Sequence, residues 1–201
     1  MRITGGRLCG RRVPVPRVAG VRPTQDRVRE AIFSSLAARL DGASFLDLFA
    51  GSGVVGLEAW SRGAESVSWV ERNARVLKQL KDNVREFCGT DSGVFRGSAL
   101  GFVNRCAPRQ PFDIVFADPP YGSSTGPVSL RGGGKDSETE AIMLTVARRQ
   151  LLAEDGIFVL ELAAEERFAE PAGWRMIDDR KYGRTKLRLF TLQPDDLEDG
   201  K

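Results

Sequence analysis

The sequence contains no histidine and only three cysteines among its 201 residues, and these shortages exclude several kinds of site. Without an imidazole, histidine-based acid–base catalysis and the common histidine-containing metal sites are excluded. Cys9, Cys88 and Cys106 are odd in number and lack the spacing of metal ligands, so neither a disulfide framework nor a zinc site is expected. No apolar run is long enough to span a bilayer, and Met1-Arg2 is not followed by the apolar stretch of a secretion signal. The sequence therefore predicts a cytoplasmic protein with no metal site and no membrane attachment.

Positive charge is concentrated at the N-terminus. Residues 1–30 contain eight arginines and two acidic residues, a net charge of +6, so the remaining 171 residues carry a net charge of −3. A basic segment attached to a neutral or acidic body is typical of proteins that bind a polyanion. A solvated, poorly ordered N-terminus would have the same composition, and the charge pattern alone leaves both interpretations open.

The length of the chain predicts one domain with short appendages, and we expect a monomer. Residues 1–23 are rich in glycine, proline and arginine, which predicts an extended basic arm with a hairpin around residues 5–6. Thr24 is expected to cap the first helix, so that residues 24–192 form the main domain. Residues 193–201 are acidic and lack periodicity, which predicts a disordered tail.

Short apolar strands alternate with helices from residue 44 onward. The predicted strands span residues 44–49, 66–71, 93–96, 112–117 and 157–162, and the predicted helices span residues 54–61, 73–87 and 138–152. Near-continuous apolar strands separated by helices indicate a parallel sheet covered on both faces. Two further strands, at 174–178 and 186–192, are predicted to form an antiparallel hairpin at the edge. This α/β order predicts the Rossmann-like class I methyltransferase fold, with a mostly parallel seven-stranded sheet.

A glycine-rich turn at residues 51–56 lies between the first predicted strand and its helix. Glycines allow the chain to turn sharply there and let a ligand approach the backbone closely. Glu71 ends the second strand, twenty residues after Gly51, where a carboxylate can bind the two hydroxyls of a ribose. Both features also occur in nicotinamide-dependent enzymes, so they predict a nucleotide-like cofactor without identifying it.

Asp47 distinguishes between these cofactors. An acidic residue at the end of an apolar strand is costly to bury without a partner. The ammonium group of S-adenosylmethionine would supply that partner, whereas the pyrophosphate of a dinucleotide would be repelled; an aspartate that caps the following turn is the alternative. The residues expected to bind S-adenosylmethionine are Asp47, Ala50, Gly51, Gly53, Gly56, Glu71, Arg72, Ser98 and Ala99.

The tetrapeptide Asp118-Pro119-Pro120-Tyr121 follows the predicted strand at residues 112–117. The Asp118 carboxylate and the Pro119 carbonyl can accept both N–H groups of an exocyclic base amine and turn its lone pair toward a methyl donor. Pro120 fixes the direction of that carbonyl, and Tyr121 can stack on a base that has been flipped out. The pattern predicts amino methylation of a nucleic-acid base, with a strand-ending turn as the alternative.

Several motifs together resemble a known family, the bacterial 16S ribosomal RNA guanine-N2 methyltransferases of the RsmD type. The resemblance lies in residues 2–6, 22–33, 46–53, 58–59, 61–64, 118–121 and 181–183. It implies methyl transfer from S-adenosylmethionine to one guanine amino group of 16S rRNA, on an assembled or partly assembled small subunit. Ser98, where the family often has an acid, the long loop at 122–136 and the acidic tail depart from the family pattern.

On this resemblance, basic residues of the arm and of the edge hairpin are expected to bind RNA phosphates. They are Arg2, Arg7, Arg11, Arg12, Arg22, Arg27, Arg29, Lys181 and Arg184. Three alternative functions remain open at this point: a DNA adenine-N6 or cytosine-N4 methyltransferase, a non-catalytic RNA-binding protein of ribosome assembly, and a nicotinamide-dependent oxidoreductase. The last is disfavoured by Asp47 and by the lack of a catalytic acid–base pair.

Overall fold

The computed structural model describes residues 1–16, 26–119 and 135–193. The helices are α1 (Asp26–Ser35), α2 (Val54–Ser61), α3 (Ala74–Cys88), α4 (Ala99–Val103) and α5 (Lys135–Arg148). The strands are β1 (Ser44–Asp47), β2 (Ser66–Glu71), β3 (Val94–Arg96), β4 (Phe112–Ala117), β5 (Leu152–Ala163), β6 (Trp174–Tyr182) and β7 (Thr185–Leu192). Two single-turn 3-10 helices lie at Gly6–Leu8 and Ala37–Arg39. Within these ranges no helix has the length and hydropathy that a bilayer span requires.

The seven strands form one sheet in the order β3-β2-β1-β4-β5-β7-β6. The first five strands in this order are parallel, and β7 runs antiparallel to both β5 and β6. The predicted Rossmann-like fold is therefore confirmed, including its antiparallel edge hairpin. The chain leaves β1 toward β2 on one side and returns from β3 to β4 on the other. The carboxyl ends of β1 and β4 therefore meet at the switch point, where open α/β sheets bind ligands.

Each face of the sheet has its own hydrophobic cluster. The first cluster joins the sheet to α1, α2 and α3, and it includes Phe45 of β1 and Phe116 of β4. The second cluster joins the opposite face to α4 and α5, and it includes Leu46 and Val115 from the same two strands. Alternate residues of a strand point to opposite faces, so these clusters define which way every strand side chain points. The two sides of the sheet are named the first face and the second face after these clusters.

Strand β5 begins at Leu152, earlier than residue 157, where the sequence pattern predicted it. Leu152 pairs with Phe112 of β4, and after a register shift the two strands pair again at Ile114 and Ile157. The residues within this irregular stretch, 154–155, are polar and exposed. Because a bulge interrupts the alternation of apolar and polar residues, the first part of the strand does not look like one in the sequence.

The described part of the predicted basic arm is a packed hairpin rather than an extended segment. Arg2 forms an antiparallel bridge with Arg12 around the 3-10 turn, and the N–H of Ile3 donates to the carbonyl of Arg11 at 3.0 Å. The hairpin predicted around residues 5–6 is thus confirmed. Ile3 is fully buried and Val13 is 2% exposed, and both belong to the hydrophobic cluster of the first face. Residues 17–25 and 194–201 lie outside the described residues.

Arg29 was predicted to bind RNA, and this prediction is wrong. Its side chain is fully buried in α1, where Nε donates to Oε2 of Glu58 at 3.2 Å and Nη2 donates to Oδ1 of Asp26 at 2.9 Å. Glu58 is itself fully buried in α2. A guanidinium enclosed in this way cannot reach a phosphate. The burial of Arg29 could not be predicted from net charge, because net charge does not depend on which face of a helix carries the residue.

The same buried carboxylate also holds the hairpin in place. Glu58 accepts hydrogen bonds from Nη2 of Arg62 at 2.8 Å and from the backbone N–H and side-chain hydroxyl of Thr4. Arg29 donates to the backbone carbonyl of Arg2, so both flanks of the hairpin are bound to helices. A buried carboxylate is tolerated where several donors surround it. The hairpin is therefore fixed relative to the sheet.

Candidate active site

The glycine-rich turn connects β1 to α2 at the switch point of the sheet. Gly51 and Gly53 have φ angles of +54° and +82°, in the left-handed region that glycine adopts at little cost. The N–H of Gly53 donates to the carbonyl of Ala50 at 2.7 Å and closes the turn. The predicted reason for these two glycines, a sharp turn at the end of β1, is consistent with this geometry.

Gly56 was assigned to the cofactor site, and in the structure it packs against another strand. A Cβ atom on Gly56 would lie 2.1 Å from Nε1 of Trp69, a β2 residue that is 3% exposed. The same indole nitrogen donates to the carbonyl of Gly53 at 3.3 Å. Gly56 therefore allows α2 to approach the sheet closely, which is what the third glycine does in related dinucleotide-binding turns.

Replacing Gly56 with alanine is expected to destabilise the protein by about 1–3 kcal/mol, because Trp69 must move to admit a methyl group. The free energy of unfolding, measured by urea titration, tests this. Gly97→Ala is the matched control, since a Cβ atom there meets nothing within 4 Å. A Gly56→Ala variant as stable as the Gly97→Ala variant would show that the indole is not the constraint.

Asp47 lies at the end of β1 and is 1% exposed. Its Oδ2 accepts the N–H of Gly56 at 3.3 Å, whereas its Oδ1 has no hydrogen-bond partner among the described residues. The pKa of this carboxyl is raised to about 7, mainly because burial disfavours the charged form. Hydrogen bonds from the backbone N–H groups of Gly56 and Phe49 lower the pKa, and the negative charge of Glu71 raises it. An unpaired buried oxygen beside a glycine turn fits a cationic ligand group, as the ammonium of S-adenosylmethionine would provide.

Glu71 connects the end of β2 to the glycine turn. Its Oε2 accepts the N–H of Gly51 at 3.0 Å, and its Oε1 accepts the N–H of Asn73 at 2.6 Å. Asn73 caps α3 by accepting from the N–H groups of residues 75 and 76. Each carboxylate oxygen retains acceptor capacity, so the hydrogen bonding of Glu71 is compatible with the predicted contact with ribose hydroxyls.

The remaining predicted cofactor residues lie along the same edge. The N–H of Gly97 donates to the carbonyl of Glu71 at 3.1 Å, which places the Ser98-Ala99 segment next to the end of β2. Ser98 is exposed, and its hydroxyl accepts the N–H of Gly101 at 3.1 Å as the N-cap of α4. Ala99 is buried and Arg72 is exposed. The N–H of Ala50 donates to the carbonyl of Val70. The capping role of Ser98 was not foreseen, although serine before a short helix is its usual signal.

Asp118 and Pro119 follow directly after β4. Phe116 of β4 pairs with Asp47 of β1, so Asp118 is two residues beyond the partner of Asp47 at the same carboxyl edge. Asp118 is half-buried and Pro119 is buried. The predicted catalytic and cofactor-binding motifs therefore lie on adjacent strands. Pro120 and Tyr121 lie outside the described residues.

Asn83 in α3 is a residue that the sequence did not single out. Its side-chain amide donates to the carbonyl of Ser52 in the glycine turn at 2.8 Å and to the carbonyl of Pro14 at 2.9 Å. The side chain is 1% exposed. A polar residue on the apolar face of an amphipathic helix was the available signal. Asn83 directly connects the end of the N-terminal hairpin to the turn at the candidate cofactor site.

The exposed basic residues predicted to bind RNA lie on three different elements of the structure. Arg2, Arg7, Arg11 and Arg12 are exposed on the hairpin, Arg27 on α1, and Lys181 and Arg184 at the β6–β7 turn; Arg22 lies outside the described residues. The guanidinium of Arg7 lies over the ring of Trp60, with Cζ 4.2 Å from the ring centroid. The guanidinium of Arg11 lies over the ring of Phe87 in the same way, at 4.8 Å. Arg11 and Lys181 also have exposed ion-pair partners, Glu86 and Glu165. These contacts orient the side chains and leave them accessible.

Comparisons with known proteins agree with this architecture. Residues 1–191 match the model of a family described as Conserved hypothetical protein 95. The chain is 32% identical to ribosomal RNA small subunit methyltransferase D of Escherichia coli K12 over 191 residues, which are 94% of this chain and 89% of that protein. The solved structure of the E. coli methyltransferase yhhF superposes with a TM-score of 0.76 at 32% identity, covering 96% of this chain and 98% of that one.

A second solved structure, the protein TTHA0928 of Thermus thermophilus, superposes with a TM-score of 0.73 at 31% identity and covers 94% of this chain and 98% of that one. The matches extend over the hairpin, the glycine turn and the edge strands alike. Because identity exceeds 30% over nearly the full length of both proteins, the chain belongs to the RsmD family of ribosomal RNA small subunit methyltransferases.

Proposed function

We propose that the chain transfers the methyl group of S-adenosylmethionine to the exocyclic N2 of one guanine in 16S rRNA. The substrate would be the small ribosomal subunit or one of its assembly intermediates, in the cytoplasm. One observation carries the proposal: Asp47, a buried carboxylate with an unpaired oxygen, lies on β1, the strand adjacent to β4, and Asp118 directly follows β4. This arrangement supports a site for a cationic cofactor group next to a site for a base amine.

On this proposal the cofactor is held by residues along the carboxyl edge. The unpaired oxygen of Asp47 would accept a hydrogen bond from the ammonium group, and Glu71 would bind the ribose hydroxyls. Ser98 and Ala99 would lie beside the adenine. When bound, the cofactor supplies an electrophilic methyl group. Asp47 lies two residues short of Asp118 in register, which supports binding of the two ligands at neighbouring positions of adjacent strands.

The reacting amine is a poor nucleophile because its lone pair is delocalised into the base. The Asp118 carboxylate and the Pro119 carbonyl accept its two N–H groups and direct the lone pair toward the methyl group. Positive charge develops on the nitrogen during transfer, and a fixed carboxylate stabilises it there. A methylated amine loses its proton readily, so the absence of histidine is no obstacle. Pro120 would fix the Pro119 carbonyl, and Tyr121 would stack on the flipped base.

The choice of guanine N2 in rRNA rests on the relatives, since the tetrapeptide by itself suits adenine, cytosine and guanine amines. A labelling experiment tests it. The protein is incubated with S-adenosylmethionine tritiated in the methyl group and with naked DNA, naked 16S RNA or small subunits that lack the modification, and the labelled nucleoside is identified. Label on N2-methylguanosine is the expected result. Label on adenine or cytosine would contradict the guanine assignment, and no label with intact cofactor binding would favour a scaffold role in assembly.

Removing the exposed arginines of the hairpin is expected to weaken RNA binding in a salt-dependent manner. Eliminating one contact with a phosphate reduces the slope of log affinity against log salt by about 0.7–0.9. The double variant Arg2→Ala/Arg12→Ala should therefore lower this slope by about 1–2, as measured by titrating RNA at several salt concentrations. Arg148→Ala is the matched control, because Arg148 is exposed on α5, on the opposite face of the sheet. Equal slopes for the two variants would show that the hairpin does not bind RNA.

A further inference from the structure

Glu161 is a buried carboxylate that neither the predicted cofactor site nor the predicted catalytic motif includes. It lies near the carboxyl end of β5 and is 3% exposed. The neighbouring positions of the strand are apolar from Ile157 to Leu162. On the other side of β5, Glu161 pairs with Leu187 of β7. One acidic residue is therefore placed among apolar residues, at the edge of the sheet where the candidate site lies.

The register of the sheet places Glu161 beside Asp118. The last paired residues of β4 and β5 are Ala117 and Leu160. Asp118 and Glu161 are the next residues in the two strands, and adjacent strands lie about 4.8 Å apart. Two carboxylates therefore occupy neighbouring register positions, Asp118 just beyond the end of β4 and Glu161 two residues before the end of β5.

Glu161 also lies on the face of the sheet that carries Asp47. In β5, Ile157 and Val159 belong to the cluster of the first face, whereas Leu160 and Leu162 belong to the cluster of the second. By alternation Glu161 belongs to the first face. The unpaired oxygen of Asp47 independently indicates that a ligand binds on this part of the carboxyl edge.

Guanine is the base whose donors match two adjacent carboxylates. Its N1–H lies next to its exocyclic N2 amine, so one edge presents three N–H groups. In adenine and cytosine the ring nitrogen beside the amine is an acceptor, which a carboxylate would repel. A carboxylate placed against the N1 position therefore distinguishes guanine from the two other bases that carry an exocyclic amine.

We propose that Glu161 is the residue that selects guanine, by accepting the N1–H of the target base while Asp118 accepts an N–H of its N2 amine. This inference rests on the proposed function, because it concerns the substrate of that same site. Glu161 would act as a specificity residue that contacts the substrate. Its carboxylate would also add to the negative charge near the nitrogen that becomes cationic during transfer.

Small subunits with 2-aminopurine in place of the target guanine test the proposal directly. This base keeps the N2 amine, but its N1 is an acceptor. We expect the wild-type protein to prefer guanine over 2-aminopurine by about 100-fold or more in kcat/KM. In Glu161→Gln the side-chain amide can donate to N1, so the preference should fall to within about tenfold. Glu161→Asp, which keeps the charge, should retain most of the wild-type preference.

Glu154→Gln is the matched control, because Glu154 is an exposed carboxylate at the opposite end of β5. It should keep the wild-type preference. A general structural role of Glu161 would lower activity on both bases equally, and an unchanged ratio in Glu161→Gln would overturn the proposal. If Glu161→Gln does not fold, the test is the wild-type ratio of kcat/KM for guanine over 2-aminopurine. Equal wild-type activity on the two bases would also overturn the proposal. Absence of any N2 label with wild-type protein on guanine would instead overturn the proposed function, and this inference with it.

Discussion

Replacement of Asp118 by alanine is expected to abolish methyl transfer, with a loss of about 10³-fold or more, while cofactor affinity stays within a few-fold of wild type. The carboxylate is proposed to orient the amine and to stabilise the charge that develops on it. Removing a single fixed electrostatic contact of this kind typically lowers the rate by about 10²–10³-fold. Orientation of the lone pair is lost at the same time, which increases the effect. Single-turnover methylation of small subunits measures the rate, and calorimetry measures the affinity for S-adenosylmethionine.

Asp113 provides a matched control for this experiment. It lies on the same strand, β4, is also half-buried, and accepts the N–H of Ser44 at 2.7 Å near the amino end of the strand. Asp113→Ala should lower stability slightly and leave the rate of transfer nearly unchanged. If Asp118→Ala lowers cofactor affinity as strongly as it lowers transfer, Asp118 acts through the fold and the proposed contact with the amine is wrong.

Replacement of Asp47 by asparagine is expected to weaken cofactor binding by about 30–150-fold, and also to make the cofactor-free protein more stable above pH 7. The first effect follows from the loss of the negative charge that would pair with an ammonium group; charge-assisted contacts in buried sites contribute about 2–3 kcal/mol. The second effect follows from burial. A carboxyl whose pKa is about 7 in the folded protein and 3.8 in the unfolded chain destabilises the fold once it is ionised.

The direction of the pH effect follows from the two pKa values of Asp47. Below about pH 4 the carboxyl is protonated in both states and has no influence on the pH dependence. Between about pH 4 and pH 7 the unfolded chain ionises first, so stability falls as the pH rises, by up to about 4 kcal/mol. Above pH 7 the full penalty is present. An asparagine avoids it but buries an amide, which costs about 1–3 kcal/mol, so a net gain of about 1–3 kcal/mol at pH 8 is expected.

Urea titrations at pH 5 and pH 8 measure this effect in the protein without cofactor. The exposed residue Asp41, three positions before β1, gives the control variant Asp41→Asn. It removes the same charge without burial and should leave the wild-type pH dependence intact. A wild-type protein whose stability does not fall between these pH values would contradict a raised pKa at Asp47.

The sequence was sufficient to predict the parts of the site that depend on order along the chain. Asp47, Gly51 and Glu71 occur at fixed positions relative to the ends of β1 and β2, and in parallel strands those ends lie at the same edge. Asp118 could be placed there for the same reason. Their proximity therefore follows from periodicity and strand order alone. Their contacts with ligands remain predictions.

The features that the sequence could not reveal depend on register and burial. Glu161 lies next to Asp118 in register only because Phe116 of β4 pairs with Val159 and β5 continues beyond that residue to Ala163. Arg29 looks identical to the exposed arginines near it in sequence, but the orientation of α1 turns it toward Glu58. Ile3 and Val13 are two apolar residues among many polar ones, and only the closed hairpin shows that both are buried. Such effects arise from tertiary packing rather than from local pattern.

The amide of Asn83 links the conformation of the N-terminal hairpin to that of the glycine turn, which has a thermodynamic consequence for the ligands proposed to bind at these two places. It donates to the carbonyl of Pro14 at the end of the hairpin and to that of Ser52 in the glycine turn. A ligand that moves either of these two carbonyls also changes the hydrogen-bond geometry between the Asn83 amide and the other carbonyl. If the turn binds the cofactor and the hairpin binds RNA, as proposed, linkage requires reciprocity: the factor by which bound cofactor changes RNA affinity equals the factor by which bound RNA changes cofactor affinity. On that proposal, an affinity measured for either ligand alone describes the protein without the other ligand.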